Sequence, residues 1–359
     1  VTVYDNGTPV AVSAVSTGMP GHPTPMGVFS VIQKQKWHHS NLYSNAPMPY
    51  MQRITWSGVA LHAGVVPGHP ASHGCIRLPE RFAVRLWGMT KVGARVIIAR
   101  GDSAPYEITH PRLAGLAKAS EAAREPDMLN AGSSAPDRSQ VDSAAVVVAA
   151  TGAGTRASRD DTPPSMSDVG APAPPQAEGG AANKPAETDR TAEPPAVEPS
   201  PAQKIDDALR QHPGPISLFV SRKLGKLFVR KGFAPVFDVP VTIARPEASL
   251  GTHIFTASRP TNDGGDVRWL AVSLGYDRVA AASAPAKRKG RAARDERPAP
   301  STAETLRQAA VAALDRIEFP QEALERIVPL IAPGASLVIS DQGLGSETGR
   351  DTDFIVVTR

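Results

Sequence analysis

The residues best equipped for chemistry in this chain lie between Leu61 and Leu78, in the sequence LHAGVVPGHPASHGCIRL. This stretch holds the single cysteine, Cys75, and three of the nine histidines, His62, His69 and His73. A lone cysteine has no disulfide partner within its chain, so it is a buried small hydrophobe, a metal ligand or a nucleophile. Its neighbours, Ser72, His73 and Gly74 before it and Ile76 and Arg77 after it, are not those of a typical core cysteine. A thiol attacks a carbonyl as its thiolate and needs a base or a cation beside it at neutral pH. His62 ends an apolar strand pattern, and the Ala63–Ala71 loop can fold it back over Cys75. There its imidazole can take the thiol proton and return it to a leaving amine. Gly74 permits an unusual backbone angle, so the amides around Gly74 and Cys75 can face a tetrahedral oxyanion. Arg77 can hold a carboxylate by a two-pronged contact. The rival chemistry is a zinc site made of His62, His69, His73 and Cys75, at spacings that match no common zinc pattern.

The elements that must position these residues are mostly strands. Val1–Tyr4 and Val10–Val15 alternate around an Asp5-Asn6-Gly7 turn, and a Gly/Pro-rich loop, Ser16–Met26, leads to a strand over Gly27–Gln33. Trp37–Met51 is long and irregular, which predicts a lid or binding edge, with Trp37 and Tyr50 as candidate substrate contacts. Ile54–Leu61 reads as the strand that ends at His62. Pro79 then opens a helix with Phe82, Leu86 and Met89 on one face, and Val92–Ala99 follows as a buried strand.

The 359 residues leave room for more than one domain. Residues 112–212 are rich in Ala, Pro, Ser, Glu and Asp and read as a disordered linker after a first domain at 1–111. Strand patterns resume at Ile216–Val220, Lys226–Arg230, Val236–Ile243, Gly251–Ala257 and Trp269–Leu274. A flexible insertion at 281–303 precedes two helices, Thr305–Ile317 and Pro320–Ile331, and strands at Ala335–Ser340 and Phe354–Val357. This 213–359 region repeats the segment order of the first domain. Leu78–Ala99 lies on Phe319–Ser340 without a gap, matching Pro79 with Pro320 and Ile98 with Ile339. In that register Cys75 falls on Arg316, so the second copy lacks the nucleophile. Ile216–Val220 precedes the stretch equivalent to Val1, which predicts that the first copy lacks its N-terminal strand. The net charge of +4 suits a polyanionic surrounding, and no basic patch interleaved with aromatics calls for nucleic acid. No apolar run is long enough to span a membrane.

The motif SHGCIRL, the upstream Leu61-His62 and the earlier TPMGVF (residues 24–29) resemble the L,D-transpeptidase catalytic domain, also called the YkuD domain. The resemblance implies a mainly β fold with a few helices, a YkuD-like β-sandwich, with a degenerate second copy beyond the linker. It implies that Cys75 is the nucleophile and His62 the proton donor and acceptor. His73 and Gly74 would line the oxyanion side, with Ser72 and Arg77 ordering the site and contacting substrate. One departure is the short spacing, nine residues between His62 and Ser72. The implied reaction is acyl transfer on peptidoglycan: attack on the amide between the diamino acid and the D-Ala of a tetrapeptide stem, without metal or cofactor. The acceptor would be a neighbouring stem, a D-amino acid or an envelope protein. Water as acceptor would make the chain an L,D-carboxypeptidase, and a non-catalytic wall-binding scaffold is the remaining alternative. The implied place is the periplasm or cell envelope, reached by a signal peptide outside this sequence.

Overall fold

The chain is described here by a computed structural model that covers residues 1–41, 45–100, 103–122, 144–149, 200–260, 267–274, 303–349 and 352–358. Nine elements make the N-terminal half. They are β1 (Thr2–Asp5), β2 (Thr8–Val12), β3 (Met26–Ser30), β4 (Gln33–Gln35), β5 (Met51–Arg53), β6 (Ala60–Ala63), β7 (Ile76–Leu78), α1 (Glu80–Met89) and β8 (Arg95–Ala99). Between the halves lie β9 (Tyr106–Glu107), α2 (Pro111–Ala122), β10 (Ala144–Ala149) and α3 (Pro201–Gln211). The C-terminal half runs through β11 (Ile216–Ser221), β12 (Lys226–Lys231), β13 (Ala234–Pro240), β14 (Thr242–Ile243), β15 (Thr252–Ser258) and β16 (Arg268–Leu274). It ends with α4 (Ala303–Asp315), β17 (Ile317–Glu318), α5 (Gln321–Ile327), β18 (Ser336–Ser340) and β19 (Val356–Thr358).

Two large sheets and a small one carry the fold. The first has the order β2-β1-β10-β8-β3-β19, and the second β13-β12-β11-β18-β15-β16-β9. In each, one central pair is parallel, β10 with β8 and β11 with β18, and every other pairing is antiparallel. A four-stranded sheet, β4-β5-β6-β7, carries the motif residues.

Strand alternation sorts the apolar side chains into three cores. Phe29 of β3 and Val96 and Ile98 of β8 face Leu61, Ile76 and Leu78 of the small sheet and Leu86 of α1. Their neighbours Val28, Ile97 and Ala99 point the other way, onto Phe219, Ile254, Val272 and Val338 of the second sheet. On the far side of that sheet, Leu218, Leu337 and Ile339 pack with Leu113 and Leu116 of α2 and with Ala310 and Leu314 of α4. Strands buried on both faces explain the apolar runs VIIA in β8 and LVI in β18.

Several expectations are corrected. The position beside β1 is not empty, because Ala144–Ala149 fills it, pairing with both β1 and β8. This run, inside the stretch read from sequence as disordered linker, is a strand. The linker also begins and ends in helices: α2 is held by buried Leu113 and Leu116, and α3 starts with a capping box between Ser200 and Gln203. Tyr106–Glu107, assigned to the first domain, extends the second sheet through β16, whereas C-terminal β19 joins the first sheet through β3. Of the strand expected at Ile54–Leu61 only Ala60 and Leu61 are strand, in β6; Ile54–Val59 instead connects β5 to β6 through a turn in which Val59 N–H donates to Thr55 Oγ1 at 2.8 Å. Residues 123–143, 150–199 and 281–302, expected as linker and insertion, lie outside the described residues. No helix among the described residues is long and apolar enough to cross a membrane.

Candidate active site

Strands β6 and β7 run in parallel, with His62 opposite Arg77 and Leu61 opposite Ile76. Because side chains alternate, Leu61, Ile76 and Leu78 enter the core while His62, Cys75 and Arg77 share the other face. All three open into one cavity of about 610 Å³. Its other walls include the β5–β6 turn (Ser57, Gly58 and Val59), Arg53, Glu80, and a flap that contributes His38, Ser40, Asn41 and residues 46–48. The flap folds back on itself, with Met48 N–H donating to His38 O and Ser40 N–H to Ala46 O.

His62 is buried, and its Nδ1 lies 2.8 Å from Ala63 O. A carbonyl only accepts, so this contact assigns the proton to Nδ1 and leaves the Nε2 lone pair free as a base. Burial pulls the imidazole pKa below its ordinary value, partly offset by the Ala63 bond and reinforced by Arg77 and His38. Cys75 is half-buried against Met48 and Met51, with its thiol 3.7 Å from Gly58 O. Burial pushes its pKa up, against the opposing pull of an Ala60 backbone contact and the Arg77 and Arg53 guanidinium groups. Both shifts favour the uncharged forms, the thiol of Cys75 and the neutral imidazole of His62.

The turn before Cys75 is latched from two sides. Ser72, almost fully buried, donates from Oγ to Cys75 O at 2.5 Å and accepts from Gly74 N–H at 3.2 Å. Thr24 Oγ1 donates to Gly74 O and accepts from Gly18 N–H, both at 2.8 Å. The loop from Ser16 to Met19 zips along the motif: Ala71 and Ser72 donate to Thr17 O, and Met19 donates to Ser72 O. Gly74 has φ +113°, while a Cβ there would meet nothing closer than 3.7 Å, so conformation rather than space selects glycine. Its amide faces Ser72, so Gly74 shapes the turn and does not present that N–H to the cavity.

Other expected residues lie elsewhere. Trp37 is 74% exposed, and Tyr50 packs between Trp37 and Trp87 of α1, at ring separations of 6.3 and 6.1 Å. Neither lines the cavity, since neighbouring Met51 takes the inward position and Tyr50 turns away from it. His73 sits at the exposed rim, its ring edge-on to His22 at 4.8 Å. His69 is exposed and outside the cavity, with Ser16 Oγ donating to its carbonyl. Among the described residues, no three His, Cys, Asp or Glu side chains cluster closely enough to hold a metal ion. Thr24 and Arg53 were not foreseen, whereas His38 belongs to the Trp37–Met51 stretch expected to form a lid or binding edge. The TPMGVF element was a signal for Thr24, while Arg53 sits in an unremarkable strand.

One segment of the chain, the one that carries this site, is similar to known proteins. Residues 1–98 match the family model of YkuD, the L,D-transpeptidase catalytic domain. That segment contains every side chain of the site just described. Solved structures also match. An L,D-transpeptidase from Mycobacterium smegmatis is 27% identical over 27% of this chain and 52% of its own, with a TM-score of 0.25. A Stackebrandtia nassauensis L,D-transpeptidase is 31% identical over 23% and 41%, with a TM-score of 0.22. L,D-transpeptidase 3 from Mycobacterium tuberculosis, in complex with a faropenem-derived adduct, is 27% identical over 24% and 43%, with a TM-score of 0.22. The match spans about half the length of these solved proteins. A search of curated proteins found no match.

Proposed function

We propose that this protein is a peptidoglycan L,D-transpeptidase of the cell envelope, with Cys75 as nucleophile and His62 as proton carrier. The observation that carries this reading is the shared face of β6 and β7, which opens His62, Cys75 and Arg77 into one cavity inside the YkuD segment. In the reaction, His62 Nε2 takes the Cys75 thiol proton as Sγ bonds to the carbonyl carbon of the diamino acid–D-Ala amide. The imidazolium then gives that proton to the D-Ala nitrogen, the C–N bond breaks, and a thioester remains. An amine acceptor, losing a proton to His62, attacks the thioester and frees the thiol. Arg77 and Arg53 make no ion pair among the described residues and flank the cavity, which suits a substrate carrying carboxylates.

The C-terminal half fits a repeat of the same architecture without the chemistry. Both large sheets have one parallel central pair, β10 with β8 and β11 with β18, flanked by antiparallel strands. Arg316 stands where the sequence register places Cys75, and its buried guanidinium donates to the carbonyls of Ala244, Arg245, Ala248 and Ser249. On this reading Arg316 serves structure where the first copy has its nucleophile.

The test is intact mass of the wild type and Cys75→Ala after incubation with faropenem and, separately, with disaccharide-tetrapeptide. The expected result is a covalent adduct and loss of D-Ala, both dependent on Cys75, with muropeptide products separating cross-linking from hydrolysis. A folded, reduced wild type that forms no adduct and releases no D-Ala overturns the assignment.

A further inference from the structure

The β5–β6 turn forms one wall of the cavity and touches the thiol through Gly58 O. Its internal bonds use the amides of Thr55, Gly58 and Val59, which leaves the N–H groups of Trp56 and Ser57 for another partner. That partner comes from the other end of the chain. Glu347 accepts from Trp56 N–H at 2.5 Å and faces Ser57 N–H at 3.4 Å.

Glu347 is not on a loose tail. Arg230, buried in the C-terminal half, donates to Gly349 O at 2.7 Å and to Thr352 O at 2.5 Å. Asp353 pairs with Arg95 of the N-terminal half at 2.6 Å. Thr348 Oγ1 donates to Ile355 O at 3.0 Å, and β19 then pairs with β3. The residues that follow Glu347 are thus tied to both halves, which holds its carboxylate against the turn.

We propose that Glu347 is a positioning residue for the Cys75 site, and that holding it in place is one function of the C-terminal half. The inference rests on the reading of Cys75 as the nucleophile. Two N–H groups gripped by one carboxylate fix the turn, and the turn fixes the Gly58 carbonyl beside the thiol together with the Ser57–Val59 wall. A residue far from the reacting atoms acts here through the geometry of the wall alone.

The test uses the full chain with Glu347→Ala and Glu347→Gln. Gln keeps one acceptor oxygen of the right reach, and Ala keeps none. Faropenem acylation is followed by mass against concentration, separating the saturating rate from apparent affinity, with thermal melting as the folding control. Hydrogen exchange of the Trp56 and Ser57 amides is measured alongside. Loss of the grip is expected to lower the saturating rate by about tenfold in the Ala variant, with Gln restoring most of it. Amide exchange should accelerate at Trp56 and Ser57 in the Ala variant while the melting temperature holds. The proposal is overturned if Ala acylates within about twofold of wild type, if Gln is no better than Ala, or if lost activity merely tracks lost folded protein. Should the folded wild type form no adduct, the nucleophile assignment fails instead, and the amide exchange alone decides whether Glu347 holds the turn.

Discussion

Stability should fall on mild acidification because of a histidine remote from the proposed chemistry. His253 on β15 is 1% exposed, with Nε2 2.9 Å from Leu250 O and Nδ1 2.8 Å from Ser273 Oγ. Burial lowers its pKa from 6.5 to about 4, only partly opposed by the Leu250 bond and by the charge of Asp341. The unfolded chain therefore binds this proton at higher pH than the folded one. The contribution is fully present above pH 6.5, shrinks as pH falls towards the folded value, and is exhausted below it. The whole shift corresponds to roughly 3 kcal/mol, of which about 2 kcal/mol is lost between pH 7.5 and pH 5. Urea unfolding of wild type and His253→Gln across pH 4–8 isolates this from the other titrating groups. The variant, which keeps an amide donor and acceptor, should be less stable at pH 7.5 but should lose about 2 kcal/mol less on going to pH 5. Parallel pH curves for the two proteins would show that His253 is solvated or already charged, and would refute the argument.

Further outcomes follow from the site and from the contact between the sheets. Alkylation of Cys75 by iodoacetamide should still rise with pH above the ordinary thiol range, because burial holds the pKa up; a plateau below pH 7 would show a preformed thiolate. The acid limb of acylation should fall below the ordinary histidine range, since burial depresses His62, and the wild-type pH–rate profile checks this. Gly74→Ala should cost about 1–3 kcal/mol from backbone strain with no steric clash, read by urea unfolding, and should slow acylation beyond what that loss explains. Phe354→Ala removes a ring buried against Phe219, 5.3 Å away, and should cost about 3–5 kcal/mol by the same measurement.

The placement of the motif residues was more legible than the walls around them. Leu61, His62, Ile76, Arg77 and Leu78 alternate in type along two short strands, and the pleat turns that alternation into an inward and an outward face. Turn chemistry was also readable: Ser72 and Gly74 have the residue types that a latched, positive-φ turn requires. Arg53, Glu347 and the flap backbone carry no local signal, because each acquires its role only when distant segments meet. Trp37 and Tyr50 misled for the opposite reason. Aromatic residues in a long loop suggest a ligand contact, but Tyr50 follows the parity of Met51 and finds Trp87 instead. The run Ala144–Ala149 was obscured by its polar surroundings, and its strand exists only because β1 and β8 present unpaired edges to it.

The arrangement of strands also bears on why the two halves are not interchangeable beads. β9 follows the first sheet in sequence but pairs with the second, and β19 follows the second sheet in sequence but pairs with the first. Each sheet therefore takes an edge from beyond its own stretch of chain, and the apolar faces of Val28, Ile97, Phe219 and Val338 meet between them. Separating the halves would expose that layer and leave the β3 and β16 edges unpaired, both of which favour aggregation over independent folding. The same exchange brings Glu347 to the β5–β6 turn, since the chain must cross the N-terminal half to deliver β19 to β3. The C-terminal half thus meets the cavity wall at Glu347 while it lends β19 to the first sheet.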